Sequence, residues 1–196
     1  MKMQSASLLA LFAALSCGAA FAQTAAQSDV QRDVDQQKRI EQGLKSGELN
    51  TKEAGRLERE QQVINRTEAR DLKDGRISAG EQQQLNREKR RANQDIYRAK
   101  HNAATGNPDS ASSQRLQADV GRNINQQKRI ERGMQTGQMT NHEAAYAEAG
   151  QSRSAGREAS AARNGRVTAG EQARIQKSES SHSRGIYRKK HNAKTK

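Results

Sequence analysis

The sequence predicts an all-α protein in which a signal peptide precedes two tandem three-helix antiparallel units. Three observations lead to this fold class: apolar residues recur at helical spacing, helix-ending signals interrupt the chain at regular places, and one segment occurs twice at an offset of 90 residues. A long internal repeat is typical of chains that use one supersecondary unit more than once. The alternation of β-branched residues that would indicate strands is not seen.

The first 22 residues have the pattern of a secretory signal peptide. Lys2 supplies a positive start, an apolar run follows at residues 8–15, and Ala20-Phe21-Ala22 fits the small-x-small pattern before a cleavage at Gln23. The apolar run is shorter than the roughly 20 residues that span a bilayer. We therefore expect a periplasmic or secreted protein, with a lipoprotein anchored through Cys17 as the alternative.

Composition excludes several classes of protein. The 196 residues contain 35 Lys and Arg against 22 Asp and Glu, a formal charge of +13, with one Cys, no Trp and 32% hydrophobic residues. These values argue against a polytopic membrane protein, a disulfide scaffold and a thiolate metal site. They also disfavour a large catalytic domain packed around aromatic residues.

The repeat defines the domain boundaries. Residues 36–41 (QQKRIE) return at 126–131, and residues 96–102 (IYRAKHN) return at 186–192 as IYRKKHN. We assign residues 23–103 to helical repeat 1 and residues 118–196 to helical repeat 2. The Gly-, Pro- and Ser-containing segment 104–117 between them is predicted to be a linker.

Each repeat contains three apolar stripes at helical spacing, separated by turn signals. A Gly followed by Ser, Thr or Asn and, three residues later, Glu is typical of a helix end and a capping box that opens the next helix. The pattern predicts helices at 28–45, 51–73 and 79–101, and at 118–135, 141–163 and 169–191.

The second helix of repeat 2 has a weak apolar stripe. Four large or β-branched residues of repeat 1 correspond to small or polar ones in repeat 2: Leu57, Val63, Ile64 and Leu72 become Ala147, Arg153, Ser154 and Ala162. Gly150 and Gly156 each cost about 1 kcal/mol in a helix interior. We therefore expect residues 148–163 to be helical only with support from repeat 1 or from a partner.

The turns resemble the second half of an EF-hand loop, in which a Gly makes the sharp turn and a final Glu binds calcium. On this resemblance the metal ligands would be Asp74 and Glu81, with Asn164 and Glu171 in repeat 2. The first half of the loop lacks side-chain ligands, because Leu72 and Ala162 stand at one of its acidic positions. Helix capping explains the same residues without a metal. Both interpretations stay open, and calcium is the cofactor that the first would imply.

The third helix ends in a Tyr-x-x-x-His pair, Tyr97 with His101 and Tyr187 with His191, whose spacing places both rings on one helix face. Either the pair contacts a ligand, or the Tyr packs at the rim while the His stabilises the helix C-terminus. His142 and His182 have no histidine counterpart in repeat 1, and we predict that they are surface residues.

The third helices are strongly basic, with Lys89 among the charges of the first. A basic helix face attracts anionic surfaces through counterion release. Three Tyr in the mature chain supply few stacking platforms, so nucleic acid is not expected as a partner. The residues predicted to bind an anionic partner are Arg87, Arg90, Arg91, Arg98, Lys100, Arg184, Arg188, Lys189 and Lys190.

These motifs resemble a group of small secreted proteobacterial helical repeat proteins of unknown function. The resemblance is carried by residues 36–40, 46–53, 74–81 and 96–101 and their copies, and it implies the helical repeat architecture without any chemistry. A fainter similarity, to helical periplasmic stress proteins with Leu-Thr-x-x-Gln turns, implies a chaperone or a metal-sensing role. In this sequence Glu53, Glu81, Glu143 and Glu171 stand where Gln would.

No nucleophile–base pair, phosphate loop or paired metal-ligand motif is visible, and we do not expect an enzyme. The sequence favours an exported, non-enzymatic binding protein whose basic faces engage an anionic envelope component or protein. Self-association and peripheral membrane contact are compatible with that function. The alternatives are a periplasmic calcium- or metal-responsive protein with degenerate EF-hand-like turns, and a periplasmic stress chaperone.

Overall fold

A computed structural model describes residues 13–192, with side chains from residue 25 onward. The fold is all-α: six helices and one short 3-10 helix make up the described chain, and it contains no strand. The elements are α1 (Ala13–Ser46), α2 (Thr51–Asp71), the 3-10 helix (Leu72–Asp74), α3 (Ala79–Lys100), α4 (Ala111–Gln135), α5 (Asn141–Ala162) and α6 (Ala169–Lys190).

Two helices begin earlier than the sequence pattern indicates. α1 is already helical at Ala13, where the described residues begin, and the Ala-rich stretch before Ser28 favours a helix. α4 starts at Ala111 instead of residue 118, and Ser110 caps it by accepting a hydrogen bond from the Ser113 N–H at 3.2 Å. The segment predicted as a linker therefore contains the first turns of α4.

The predicted signal peptide lies mostly outside the described part of the chain. Residues 1–12 are not described, and neither is the side chain of Cys17, so the predicted export and the lipid anchor stay predictions. The α1 backbone runs through the predicted cleavage point before Gln23. Within the described residues, no helix combines the length and the apolarity needed to cross a membrane.

The capping boxes predicted at the helix starts are present. Asn50, Ser78, Thr140 and Thr168 each accept a hydrogen bond from the backbone N–H of a Glu three residues later, and that Glu accepts one from the cap N–H. The Gly of each turn has a positive φ, between 66° at Gly137 and 91° at Gly75, which Gly adopts without steric cost. Local sequence thus fixes where the chain reverses.

The two repeats pack against each other around a pseudo-two-fold axis. α2 makes its most extensive contacts with α5, and α1 makes its most extensive contacts with α4, in both cases antiparallel. Ser152 Oγ donates to Gln62 O at 3.0 Å. Because these residues are equivalent in the two repeats, their contact marks the axis. α3 packs on α1 and α2 while α6 packs on α4 and α5, so α3 and α6 occupy separate flanks.

The apolar core is shared between the repeats. One buried cluster joins Ile40, Leu44 and Leu57 of repeat 1 to Leu116 and Val120 of repeat 2. A second cluster joins Val30 and Leu72 to Ile130, Met134 and the Ala-rich start of α5. All residues that the sequence places on the stripes of α1 and α4 are buried, and Leu49 and Met139 in the turns add to the core.

The weak stripe of α5 is an interface with α2. Its small side chains allow close approach: a Cβ added to Gly55 would lie 2.6 Å from the Ala162 Cβ. Gly156 leaves room for the Gln62 amide, which a Cβ would meet at 2.6 Å. α5 is helical over its whole length, and the support that the sequence analysis called for comes from α2 of repeat 1.

Candidate functional site

Many acidic side chains are buried in the interior of the molecule. Among the residues with described side chains, ten acids are buried, whereas Lys89 is the one buried base. A buried carboxylate is costly unless a cation or a proton neutralises it. The buried acids are Asp29, Asp33, Glu58, Glu68, Asp71, Asp119, Glu143, Glu148, Glu158 and Glu179.

In repeat 1 the ammonium of Lys89 is the centre of this polar interior. Lys89 Nζ lies 2.7 Å from Asp33 Oδ1 and 2.6 Å from Glu68 Oε1, and it donates to Asp29 O at 2.6 Å. One oxygen each of Asp33, Glu68 and Glu148 lies within 4.8 Å of the others, which is close enough for a shared cation. The Lys89 ammonium takes that role for Asp33 and Glu68.

The equivalent place in repeat 2 is built differently. At an offset of 90, Asp29 corresponds to Asp119, Asp33 to Asn123, Glu68 to Glu158 and Lys89 to Glu179. The pseudo-two-fold axis exchanges Glu148 for Glu58, which contacts Glu158. The buried ammonium of repeat 1 is therefore replaced by a fourth carboxyl group. We call the set Glu58, Asp119, Asn123, Glu158 and Glu179 the repeat-2 acid cluster.

Burial raises the pKa of every carboxyl group in the repeat-2 acid cluster. Desolvation raises the pKa of Glu58 to about 7, that of Asp119 to about 6 and that of Glu179 to about 8. The pKa of Glu158 is well above its usual range through burial and the charge of Glu58. Burial therefore favours the protonated form of each of these carboxyl groups.

In repeat 1 the pKa values of the buried carboxyl groups are also raised, although Lys89 lies among them. Desolvation raises the pKa of Asp33 to about 6, although Lys89 opposes the shift. Burial also places the pKa values of Glu68 and Glu148 well above their usual range. Burial opposes the charge on Lys89, but Asp33, Glu68 and Asp29 together raise its pKa, so it stays an ammonium.

Side-chain amides line the seam between the two acidic centres. Gln37 Nε2 donates to Glu58 Oε2 at 3.1 Å, and the equivalent Gln127 Nε2 donates to Glu148 Oε2 at 3.2 Å. Gln151 links the seam further by donating to Gln127 Oε1 at 2.9 Å. Each carboxyl group at the interface thus receives a hydrogen bond from a helix of its own repeat.

Sequence reasoning missed this interior. Lys89 was assigned to the basic face of α3, and that assignment is wrong because its side chain is 1% exposed. The available signal was helical spacing: Asp29 and Asp33 are each adjacent to a core Val, and Lys89 is spaced four from Leu85 and three from Ala92. Polar residues on an apolar stripe indicate a buried polar network.

The remaining arginines of α3 lie on the surface. Arg87, Arg90, Arg91 and Arg98 are exposed and, with Gln94 and Asp95, line a shallow cleft of about 420 Å³. Asp95 is the one acid in this cleft, 3.7 Å from Arg91 and 3.5 Å from Arg98. Lys100 turns away to pair with Glu48 at 3.2 Å. The structure therefore brings four of the five predicted α3 residues together.

The α6 face is basic as well, and it includes an aromatic ring. Arg184 and Arg188 are exposed, and Lys189 Nζ lies 4.4 Å from the centre of the Tyr146 ring. A cleft of about 310 Å³ between α5 and α6 is lined by Tyr146, Arg153, Arg157, His182 and Lys189, among others. Lys190 packs along Gly133 of α4, apart from this cleft.

The residues predicted as EF-hand-like ligands accept local backbone hydrogen bonds, Glu81 and Glu171 in capping boxes and Asp74 and Asn164 within the turns. Glu81 Oε2 accepts from Ser78 N at 2.8 Å, and Glu171 Oε2 accepts from Thr168 N at 2.9 Å. Asp74 Oδ1 accepts from Arg76 N at 3.1 Å, and Asn164 Oδ1 accepts from Arg166 N at 2.9 Å. These contacts account for the turn motif without a cation.

The Tyr–His pairs form stacked helix ends. In each repeat the two ring centroids are 4.1 Å apart, and the His Nδ1 lies 2.8 Å from the carbonyl oxygen of its Tyr. Tyr97 is 63% exposed and Tyr187 is 57% exposed. The pairs finish α3 and α6 on the surface, with the His near the helix C-terminus and the Tyr ring largely exposed instead of packed at the rim.

The prediction that His182 is a surface residue is wrong, whereas His142 is exposed as predicted. The His182 ring packs on Gly150, where an added Cβ would lie 2.2 Å from the ring, and its Nδ1 is 2.6 Å from Gln126 Oε1. Burial lowers the pKa of His182 to about 4. The ring is therefore a neutral packing element between α4, α5 and α6.

Comparison with known proteins gives no assignment: no protein-family model, curated protein or solved structure matches the chain.

Proposed function

We propose that the protein is an exported, non-enzymatic adaptor that binds anionic envelope lipids through two basic faces, one on α3 and one on α6. The observation that carries this proposal is the separation of charge, with acids inside and arginines outside. Two faces on separate flanks would let one molecule hold two anionic surfaces at once. The proposal rests on the signal-peptide pattern for its location.

The separation of charge makes the surface more basic than composition suggests. The formal charge of +13 counts every Asp and Glu as ionised. Ten acids are inside, and the pKa values of Glu58 and Glu179 are raised to about 7 and about 8, so part of the negative charge is absent at neutral pH. The α3 face then presents guanidinium groups that are largely uncompensated, which favours phosphate groups.

The surface also disfavours the chaperone alternative. Large apolar side chains exposed in the described part of the chain are Val63 and three scattered Tyr. A client-holding surface needs a contiguous apolar patch of a few hundred Å².

The test is binding to and clustering of lipid vesicles. The protein should co-sediment with vesicles that contain phosphatidylglycerol and not with pure phosphatidylcholine vesicles, and high salt should release it because exposed charges are screened. Light scattering should show that wild-type protein clusters the anionic vesicles, since two faces can bridge two membranes.

Single-face variants separate bridging from binding. Neutralising α3 alone (Arg87→Gln, Arg90→Gln, Arg91→Gln) should retain sedimentation and abolish clustering. Neutralising α6 as well (Arg184→Gln, Arg188→Gln, Lys189→Gln) should abolish both. The matched control removes three exposed charges from α2 (Arg56→Gln, Arg59→Gln, Arg66→Gln) and should behave like wild type. Equal loss in the control would contradict the proposal.

A further inference from the structure

The repeat-2 acid cluster has no buried cation of its own. Repeat 1 holds Lys89 Nζ between Asp33 and Glu68, at 2.7 and 2.6 Å, and the same position in repeat 2 is occupied by the carboxyl group of Glu179. Glu179 pairs instead with Arg122, whose Nε is 3.9 Å from Oε2 and whose side chain is 46% exposed. The internal repeat therefore shows where a cation binds in this fold and which copy lacks it.

Buried oxygens in the cluster are left without hydrogen-bond donors. Both carboxylate oxygens of Glu179, Glu58 Oε1 and Asn123 Oδ1 accept no hydrogen bond from an N–H group, and all three residues are at most 3% exposed. Asn123 is not acidic, and its Nδ2 donates to both oxygens of Glu158 at 2.8 and 2.9 Å. Asn123 Nδ2 is therefore bound to Glu158, whereas Asn123 Oδ1 has no hydrogen-bond donor, which is unusual for a buried polar atom.

We propose that the repeat-2 acid cluster is a binding site for one divalent metal ion, which takes the place that the Lys89 ammonium holds in repeat 1. Glu58 from α2, Asp119 and Asn123 from α4, Glu158 from α5 and Glu179 from α6 supply its oxygens. The site joins both repeats, because Glu58 belongs to repeat 1.

The donor set selects the class of metal. All candidate donors are carboxylate or amide oxygens, and the cluster contains no Cys or His. Hard cations such as Ca²⁺ and Mn²⁺ prefer oxygen donors, whereas Zn²⁺ and Cu²⁺ prefer sulfur and imidazole. Four carboxyl groups also supply enough charge to neutralise a divalent ion.

The carboxyl groups of repeat 2 are less closely gathered than those of repeat 1. Among the described residues, Asp33, Glu68 and Glu148 are the one trio whose oxygens lie within 4.8 Å of one another. Like charges repel, and the ammonium relieves that repulsion in repeat 1 alone. A bound ion would draw Glu58, Glu158 and Glu179 together in the same way.

A route to the site exists from the surface. Glu179 lines an open cleft of about 340 Å³ between α4 and α6, together with Arg122, Gln126 and Arg129.

The experiment measures metal binding and thermal unfolding of the full chain after treatment with EDTA. Calorimetric titration with CaCl₂ or MnCl₂ at pH 8 should give about one ion per chain, with a rise in Tm of about 5 °C or more at saturating metal. Absence of a metal-dependent rise with both ions at pH 8 would overturn the proposal.

Glu179→Lys is the decisive variant, because it gives repeat 2 the lysine of repeat 1. It should fold, show a Tm without metal at least equal to that of wild type, and lose the response to metal. Glu179→Gln, which removes the charge without adding an ammonium, should weaken metal binding about 10-fold or more. If Glu179→Lys failed to fold, the Glu179→Gln result would decide.

A control variant distinguishes this site from the turns. Glu171→Gln disturbs the capping box and the EF-hand-like position and should leave metal stoichiometry unchanged. A metal response that persists in Glu179→Lys and disappears in Glu171→Gln would overturn the proposal in favour of the turn. The vesicle assays do not involve Glu179, so failure of this site and failure of the membrane proposal are distinguishable.

Discussion

Gly150 shows how one residue can contradict its own helix propensity. On helix propensity alone, Gly at this position makes α5 about 1 kcal/mol less stable than Ala would. The structure gives the reason for Gly, because an added Cβ would lie 2.2 Å from the His182 ring. The sequence alone shows that Gly150 lowers helix propensity. It does not show that the His182 ring occupies the space of a Cβ there, since Gly150 lies on α5 and His182 on α6.

Gly150→Ala should therefore destabilise the protein in urea unfolding, although propensity alone predicts stabilisation by about 1 kcal/mol. Gly185→Ala is the matched control, because nothing lies within 4 Å of a Cβ at that position in α6. It should stabilise the protein. The double variant Gly150→Ala with His182→Ala should recover part of the loss, and equal stabilisation by both glycine variants would refute the packing account.

Capping is the residue-scale feature that sequence predicts best, because the box consists of neighbours in the chain. Ser78→Ala removes the acceptor of the Glu81 N–H and should lower the free energy of unfolding by about 1 kcal/mol. Chemical denaturation measures the change. The loss should be the same with calcium and with EDTA, whereas a loss seen only with calcium would favour a cation at this turn.

At the scale of helices, α5 is the element that sequence describes least well. Its Ala, Ser and Gly residues resemble a weakened core stripe, because a periodicity argument counts large apolar residues and cannot show which helix lies opposite. Against α2 the same small residues permit close contact, with Gly55 facing Ala162. The helix ends at the turns and the stripes of α1 and α4 were predictable, since both follow from local pattern, whereas the starts of α1 and α4 were not.

Gly55→Val tests this interface from the side of repeat 1. The new side chain would collide with the Ala162 Cβ and backbone, and it should cost about 1–3 kcal/mol of stability through overpacking. Gly80→Val in α3 is the control, because a Cβ there meets nothing within 4 Å. When unfolding is followed by far-UV circular dichroism, Gly55→Val and Gly80→Val should each lose their helical signal in a single transition. A separate early transition confined to repeat 1 would contradict a shared core.

At the scale of the whole molecule, the buried carboxyl groups link stability to pH. A carboxyl group whose pKa is raised keeps its proton in the folded protein at a pH where the unfolded chain has lost it. The folded state then binds more protons, so stability falls as pH rises between the two pKa values. For Glu58 and Glu179 that interval runs from the ordinary value of about 4.5 to about 7 and about 8.

In the presence of EDTA, the free energy of unfolding should therefore fall by about 3 kcal/mol or more between pH 5 and pH 8. Urea titrations at several pH values measure it. Glu58→Gln should flatten the curve, because the amide cannot ionise, while Glu48→Gln, an exposed control whose pKa is lowered, should not. Stability that rises over this interval would show that the interior carboxylates are already compensated.

The sequence alone could not predict which buried polar residues lie together, because these residues are spread over several helices that are distant along the chain. The repeat-2 acid cluster draws on α2, α4, α5 and α6, so its members are separated by up to about two thirds of the chain and meet only through the packing of the repeats. The exposed arginines, in contrast, follow one another along α3, so their common exposed face is visible in the sequence, whereas the burial of Lys89 among them is not.

Hydrogen exchange on the intact protein tests most directly whether the two repeats form one body around a shared core. The account predicts that amides in α2 (51–71) and α5 (141–162) have the same high protection, because each helix is the other's main packing partner. It also predicts that Gly55→Val lowers protection in both helices to a similar extent. Protection of α2 with rapid exchange throughout α5, or a loss confined to α2 in the variant, would contradict it.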